Sequence, residues 1–276
     1  PGMRRRTAHH IQKHFGLSQR KACRFLAVAR STVRYIINES KDDSLLELMK
    51  SVVSKYPKAG CQMIYLVLRK TGLKINHKRV ERIYTANKMQ LKNRKTKKKF
   101  IVKKREEHLL SEKPGKCLAI DFVIDSVGNK RQLKMLTVID PVTNESPVIQ
   151  PAFSMRGEQV VEVLDKACSQ TEYPEFIQCD NGPEFRSGEL ARWCEKHHIK
   201  QVFSRPGKPT DNCFIESFNG TFRNECLNIY YFENLSEAKR IIENWRLDYN
   251  QNRPQKRLKG LTPSEYRDII LAENLT

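Results

Sequence analysis

The chain has 276 residues, 39% hydrophobic and 8% aromatic, which is enough for one sizeable core with one or two small modules and excludes disorder throughout. Fifty-one Lys and Arg against 31 Asp and Glu leave a net charge of +20, which points to a polyanionic partner, nucleic acid first. No apolar run approaches the ~18 residues of a membrane span, and the basic start lacks the apolar stretch of a signal peptide. Eight scattered cysteines without a CxxC pair read as reduced thiols, so the chain is expected in the cytoplasm with no membrane partner.

In chain order, His9, His10 and His14 come first; with no cysteine pair at ligand spacing they read as solvated polar residues and not as a zinc site. Residues 17–37 predict two short helices, with Ala22, Phe25 and Leu26 apolar on the first and Val33, Ile36 and Ile37 on the second. Ser31 is expected to cap the second helix. The pattern is that of a helix-turn-helix with Ser31, Thr32 and Arg34 near the start of a recognition helix, a plain helical hairpin being the alternative. Residues 1–42 are therefore expected to be a helix-turn-helix-like DNA-binding module, and 43–91 a second helical one. In the latter, Gly72 is a helix stop and Asn76 a cap ahead of Val80, Ile83 and Tyr84. Residues 92–113 form a basic linker: "KNRKTKKKFIVKKR" holds nine basic residues in fourteen and no acid. Such a run cannot fold on itself, and Lys97, Lys98 and Lys99 are expected along a phosphate backbone.

From 114 to 276 the texture is α/β. "CLAIDFVID", "LKMLTVID" and "NESPVIQPAF" predict an antiparallel meander. "GEQVVEVLDKACSQ", "EFIQCD", "SGELARWCEKHH" and "IKQVFSR" then alternate helix and strand, and "TDNCFIESFNGTFRNECL" and "LSEAKRIIENWRLDYNQN" close the domain as helices. This order predicts a mixed sheet with helices on its faces.

Three carboxylates stand out. Asp121 sits mid-strand between Ile120 and Phe122, where a charge is costly unless paired or bound to a metal. Asp180 ends a strand and opens the turn "NGPEF", at the carboxyl end where open α/β sheets place ligands. Glu216 lies on a helix whose Phe214, Phe218 and Phe222 form an apolar stripe, with Asn219, Gly220 and Arg223 on its own polar stripe. Hard oxygen donors of this kind suit Mg²⁺ or Mn²⁺. Taken singly, each acid also fits a buried ion pair, a turn or a salt bridge.

Asp121, Asp180 in "DNGPEF" and Glu216 in "SRPGKPTDNCFIESFNGTFRNECLN", with 35 residues between the last two, closely resemble the catalytic core of DDE transposases of bacterial insertion sequences. The match is nearest to the OrfB-type product of the IS-three family, and "INHKRVERIY" and "YNQNRPQKRLKGLTPSEY" extend it over most of the chain. The resemblance implies an RNase H-like, retroviral integrase-like core: a mixed five-stranded sheet with flanking helices, preceded by small all-α helix-turn-helix modules. It further implies two Mg²⁺ (or Mn²⁺) ions held by Asp121, Asp180 and Glu216, and end cleavage followed by strand transfer from a DNA 3′-OH. Its partners would be DNA, as terminal inverted repeats and target, a homo-oligomer on that DNA, and an upstream-frame OrfA-type protein, in the bacterial cytoplasm on the nucleoid. Arg205, Lys208, Asn219 and Arg223 are then candidates for DNA phosphate. The chain departs from its relatives at Leu118, where they usually have Trp, at Cys61, Gln62 and Met63 in "GCQMI", and at Asn144. A DNA-binding recombination factor or regulator that keeps the fold without transposition, and a nuclease without strand transfer, are the competing functions.

Overall fold

The computed structural model describes residues 2–34, 39–91, 111–128, 130–169, 172–205 and 212–273. They divide into two compact units, residues 1–48 and 49–276.

The first unit holds α1 (Gly2–Phe15), α2 (Gln19–Phe25) and α3 (Arg30–Arg34). Its core is small: Ala8, Cys23 and Val33, with Leu26 and Val28 packed against them. The histidine-rich start is helix α1, with His9, His10 and His14 exposed and Ala8 buried against Cys23 and Val33. Two differences from the sequence reading appear here. Phe25 is 80% exposed, and Cys23 takes the core position expected of it. Ser31 is the second residue of α3 and not its cap, since the helix begins one residue earlier. Ile36 and Ile37 lie outside the described residues.

α4 (Glu39–Lys55), α5 (Cys61–Lys70) and α6 (His77–Ala86) follow. Gly72, at φ +85°, ends the α5 segment in a conformation that costs a β-carbon dearly. Asn76 caps α6 as expected, its Oδ1 accepting from Lys78 N at 2.9 Å. Within the second unit, Lys55 Nζ and Tyr56 Oη donate to the two oxygens of Asp248 at 2.7 and 2.8 Å. Lys70 pairs with Glu265 at 3.0 Å, so the helical block is tied to the chain's last helices at two points.

The sheet of the second unit is built on β1 (Cys117–Val127), β2 (Arg131–Ile139), β3 (Ile149–Ala152), β4 (Phe176–Cys179) and β5 (Lys200–Phe203), in the order β3-β2-β1-β4-β5. The first three are antiparallel, and β4 and β5 run parallel to β1. This is the RNase H-like mixed sheet. Alternation along β1 sends Ala119, Val123 and Val127 to one face and Leu118 and Ile120 to the other. The first face packs on α9 (Cys213–Phe222), the π-helical turn Arg223–Leu227 that continues it, and α10 (Leu235–Gln251). The second packs on α7 (Gly157–Cys168) and α8 (Gly188–Lys196), and α11 (Pro263–Glu273) closes the chain. All eight cysteines are free thiols, and no helix among the described residues is long and apolar enough to cross a membrane.

Candidate active site

Strand register places the first two carboxylates. β1 and β4 pair as Cys117–Phe176, Leu118–Ile177 and Ala119–Gln178, so Asp121 and Asp180 stand level, each two residues past the last pair. Both share the parity that faces α9, because Ala119 and Val123 flank Asp121 on that face. α9 supplies the third. Its apolar stripe is fully committed: Phe218 lies 5.0 Å from Tyr249 and 5.9 Å from Trp245, and Phe222 lies 4.9 Å from Trp245. With Phe214, Ile215, Phe218 and Phe222 all buried, helical geometry leaves Glu216 exposed in the first turn of α9.

Asp121 is half-buried. Its Oδ1 accepts from the Phe122 N–H at 2.7 Å, and its Oδ2 accepts from Asn219 Nδ2 at 2.8 Å. Burial, joined by the charges of Asp180 and Glu216, pushes its carboxyl up to about 6, against the pull of those two hydrogen bonds. Two neighbouring carboxylates therefore act on Asp121 at once, and neither forms an ion pair among the described residues. Asp180 Oδ1 accepts from Gly182 N at 2.9 Å, and a β-carbon on Gly182 would come within 2.9 Å of that same oxygen. Among the described residues, no group of three or more His, Cys, Asp or Glu side chains is placed to hold a metal ion. The three acids interact through their fields without forming a cage. As a donor set they fit a hard divalent cation: all are oxygen ligands, and no cation among the described residues is paired with them.

The remaining candidates divide. Asn219, expected on phosphate, donates from Nδ2 to Asp121 Oδ2. Its amide oxygen is buried with no hydrogen-bond partner among the described residues. Arg223 donates to Ile124 O at 3.1 Å and stays exposed. Arg205 is exposed after β5, while Lys208, Lys97, Lys98 and Lys99 lie outside the described residues. In α3, Ser31 is exposed and Thr32 half-buried, and Arg34 Nε donates to Gln19 Oε1 at 2.8 Å.

The sequence reading passed over Lys134 and Glu184. They form an ion pair behind the site, with Lys134 Nζ 4.1 Å from the centre of the Phe122 ring. The available signal was parity: Lys134 shares its face of β2 with Leu136 and Val138, a core-facing position where a lysine needs a reason.

An integrase core domain model matches residues 111–209, a second integrase core domain model matches 197–263, and an HTH-like domain model matches 40–97. The 39.2 kDa protein of insertion element IS476 from Xanthomonas euvesicatoria is 34% identical over 267 residues, covering 96% of this chain and 77% of that protein. The 31.7 kDa protein of insertion element IS407 from Burkholderia multivorans is 34% identical over 257 residues, covering 93% of this chain and 92% of that one. A protein of Escherichia coli K12 assigned as transposase InsK of insertion sequence element IS150 is 30% identical over 261 residues, covering 87% of this chain and 90% of that one.

Proposed function

Because the chain belongs to the insertion-element transposases built on an integrase core, we propose that Asp121, Asp180 and Glu216 are its catalytic residues and ligate its metal ions. The observation that supports this most directly is the level placement of Asp121 and Asp180 on the neighbouring strands β1 and β4, with the charges of Asp180 and Glu216 both felt at Asp121. Two divalent cations, Mg²⁺ or Mn²⁺, would supply charge neutralisation at the phosphate and activation of the attacking oxygen in an in-line displacement. The protein's share is orientation. Asn219 holds one oxygen of Asp121 and the Phe122 amide the other, while the Gly182 amide fixes Asp180. The aromatic stripe anchored on Trp245 and Tyr249 fixes α9 and leaves Glu216 on its exposed side.

The nucleophile would be water for cleavage and a DNA 3′-OH for strand transfer, so no side chain needs to form a covalent intermediate. The substrate would be the element's terminal inverted repeats and then target DNA. Arg223, exposed on the stripe of Glu216, is a candidate to meet their phosphates, as are Arg205 and Lys208 of the "SRPGKPTDN" segment. Pairing two ends in one reaction calls for a homo-oligomer on DNA, and an OrfA-type upstream-frame protein would add end recognition. The deciding experiment supplies Mg²⁺ and DNA carrying the element's ends to Asp121→Asn and Glu216→Gln. Loss of both cleavage and joining is expected, and joining that persists in either variant removes that residue from the ligand set.

A further inference from the structure

Parallel pairing between β1 and β4 stops at Ala119–Gln178. At the level of Asp121 and Asp180, therefore, no pair of the β1–β4 ladder holds the two backbones in step, although this is where their alignment matters. Two side-chain contacts span that gap on the opposite face of the sheet. Phe122, the residue after Asp121, stacks on Phe185 with ring centres 4.9 Å apart and planes 13° from parallel. Lys134, from β2, ion-pairs with Glu184 and lies over the Phe122 ring at 4.1 Å.

Lys134 thus touches both halves of the site. Phe122 carries the amide that donates to Asp121 Oδ1. Glu184 belongs to the turn whose Gly182 amide donates to Asp180 Oδ1. The same turn is held from its far side, where Gln201 Nε2 donates to Phe185 O at 2.6 Å and Asn181 Nδ2 donates to Ser204 O at 2.9 Å. The Lys134 and Glu184 side chains are 19% and 25% exposed, so the pair is sheltered enough to be geometrically demanding.

We propose that Lys134 is a positioning residue: its ammonium, shared between the Glu184 carboxylate and the face of Phe122, replaces the missing ladder and keeps Asp180 level with Asp121 for a shared cation. The proposal rests on the reading of these acids as metal ligands. It assigns Lys134 no contact with DNA.

The test uses the full-length protein and three variants, Lys134→Met, Glu184→Gln and Lys134→Arg. Two quantities are read: the Mg²⁺ or Mn²⁺ concentration that half-saturates the rise in thermal midpoint of the DNA-free protein, and the concentration that gives half-maximal strand transfer. Lys134→Met and Glu184→Gln are expected to need about 10–100-fold more metal on both measures, the usual effect of losing a group that orients a ligand. Lys134→Arg is expected to keep the wild-type requirement. The double variant Lys134→Met with Glu184→Gln should be no worse than the poorer single, since both remove one contact. A metal requirement that stays put in Glu184→Gln, an isosteric change that preserves the fold, overturns the proposal even if turnover falls. If the wild type shows a metal-dependent shift that Asp121→Asn abolishes and Lys134→Met leaves untouched, only the positioning role fails. If wild type and Asp121→Asn are alike in showing no shift, the metal reading fails and the positioning role with it.

Discussion

At Asp121 the requirements of folding and of the proposed metal binding pull in opposite directions. A carboxyl raised from its ordinary 3.8 to about 6 binds its proton more tightly in the folded protein than in the unfolded one. Its contribution to stability is fully present below about 4 and is lost as pH rises through about 6. At pH 7 and above, the metal-free protein therefore carries a charge it would be more stable without. Asp121→Asn is expected to stabilise the metal-free protein at pH 8 by roughly 1–2 kcal/mol, after discounting for partial exposure, while abolishing strand transfer. Thermal unfolding with a chelator present checks the first part, and an Asn variant less stable than wild type at pH 8 contradicts it. Asn219 works against the same penalty by donating to the ionised form. Asn219→Ala should raise the Asp121 carboxyl further, so that Mg²⁺ binding, which needs the carboxylate deprotonated, is lost at a higher pH than in wild type. Titrating the metal-dependent thermal shift from pH 5 to 8 reads this directly. The three acids were legible in the sequence because each breaks a pattern: a charge mid-strand, an acid at a strand's carboxyl end, a carboxylate beside an aromatic stripe. The role of Asn219 was not, because a helical stripe shows which way an amide points but not which partner meets it.

Among the elements, α9 is held by more than its aromatic stripe. It runs into the π-helical turn, where Glu225 is joined to Arg253 by two hydrogen bonds of 2.7 Å. The two side chains are 8% and 17% exposed. A charge so enclosed is tolerable only with its partner in place, so Glu225→Ala is expected to cost about 3–5 kcal/mol, mostly from leaving Arg253 buried and unpaired. Denaturant unfolding measures it, and a loss below about 1 kcal/mol would mean that the guanidinium finds water or another acceptor. Strands and helices of the second unit were legible because alternation and 3.6-residue periodicity were both strong in segments such as "CLAIDFVID" and "GEQVVEVLDKACSQ". α1 was not, since a helix that buries little beyond Ala8 leaves almost no periodic trace. Pairs such as Lys134 with Glu184 or Tyr56 with Asp248 join residues 50 and 192 positions apart, and no local pattern encodes them.

For the whole chain, a net charge of +20 makes binding to DNA an ion-exchange process. Affinity for duplex DNA of unrelated sequence should fall linearly with salt on a log–log plot, losing a slope of about 0.9 for every phosphate contact removed. Replacing Lys97, Lys98 and Lys99 by alanine should lower that slope by about 1 for each lysine that touches phosphate, without changing strand-transfer chemistry on saturating end DNA. An unchanged slope would take the basic segment out of the interface. The level placement of Asp121 and Asp180 has a different consequence. Adjacent strands repeat at about 4.8 Å where backbone hydrogen bonds pair them, and the last such pair of β1 and β4 lies two residues before each acid. The sheet therefore serves as a ruler for the first two acids, which the proposed Lys134 contact extends past its last mark. Deleting one residue within β4 would flip Asp180 to the far face and erase the mark altogether, whereas the third acid, carried by a helix anchored on Trp245 and Tyr249, would stay where it is.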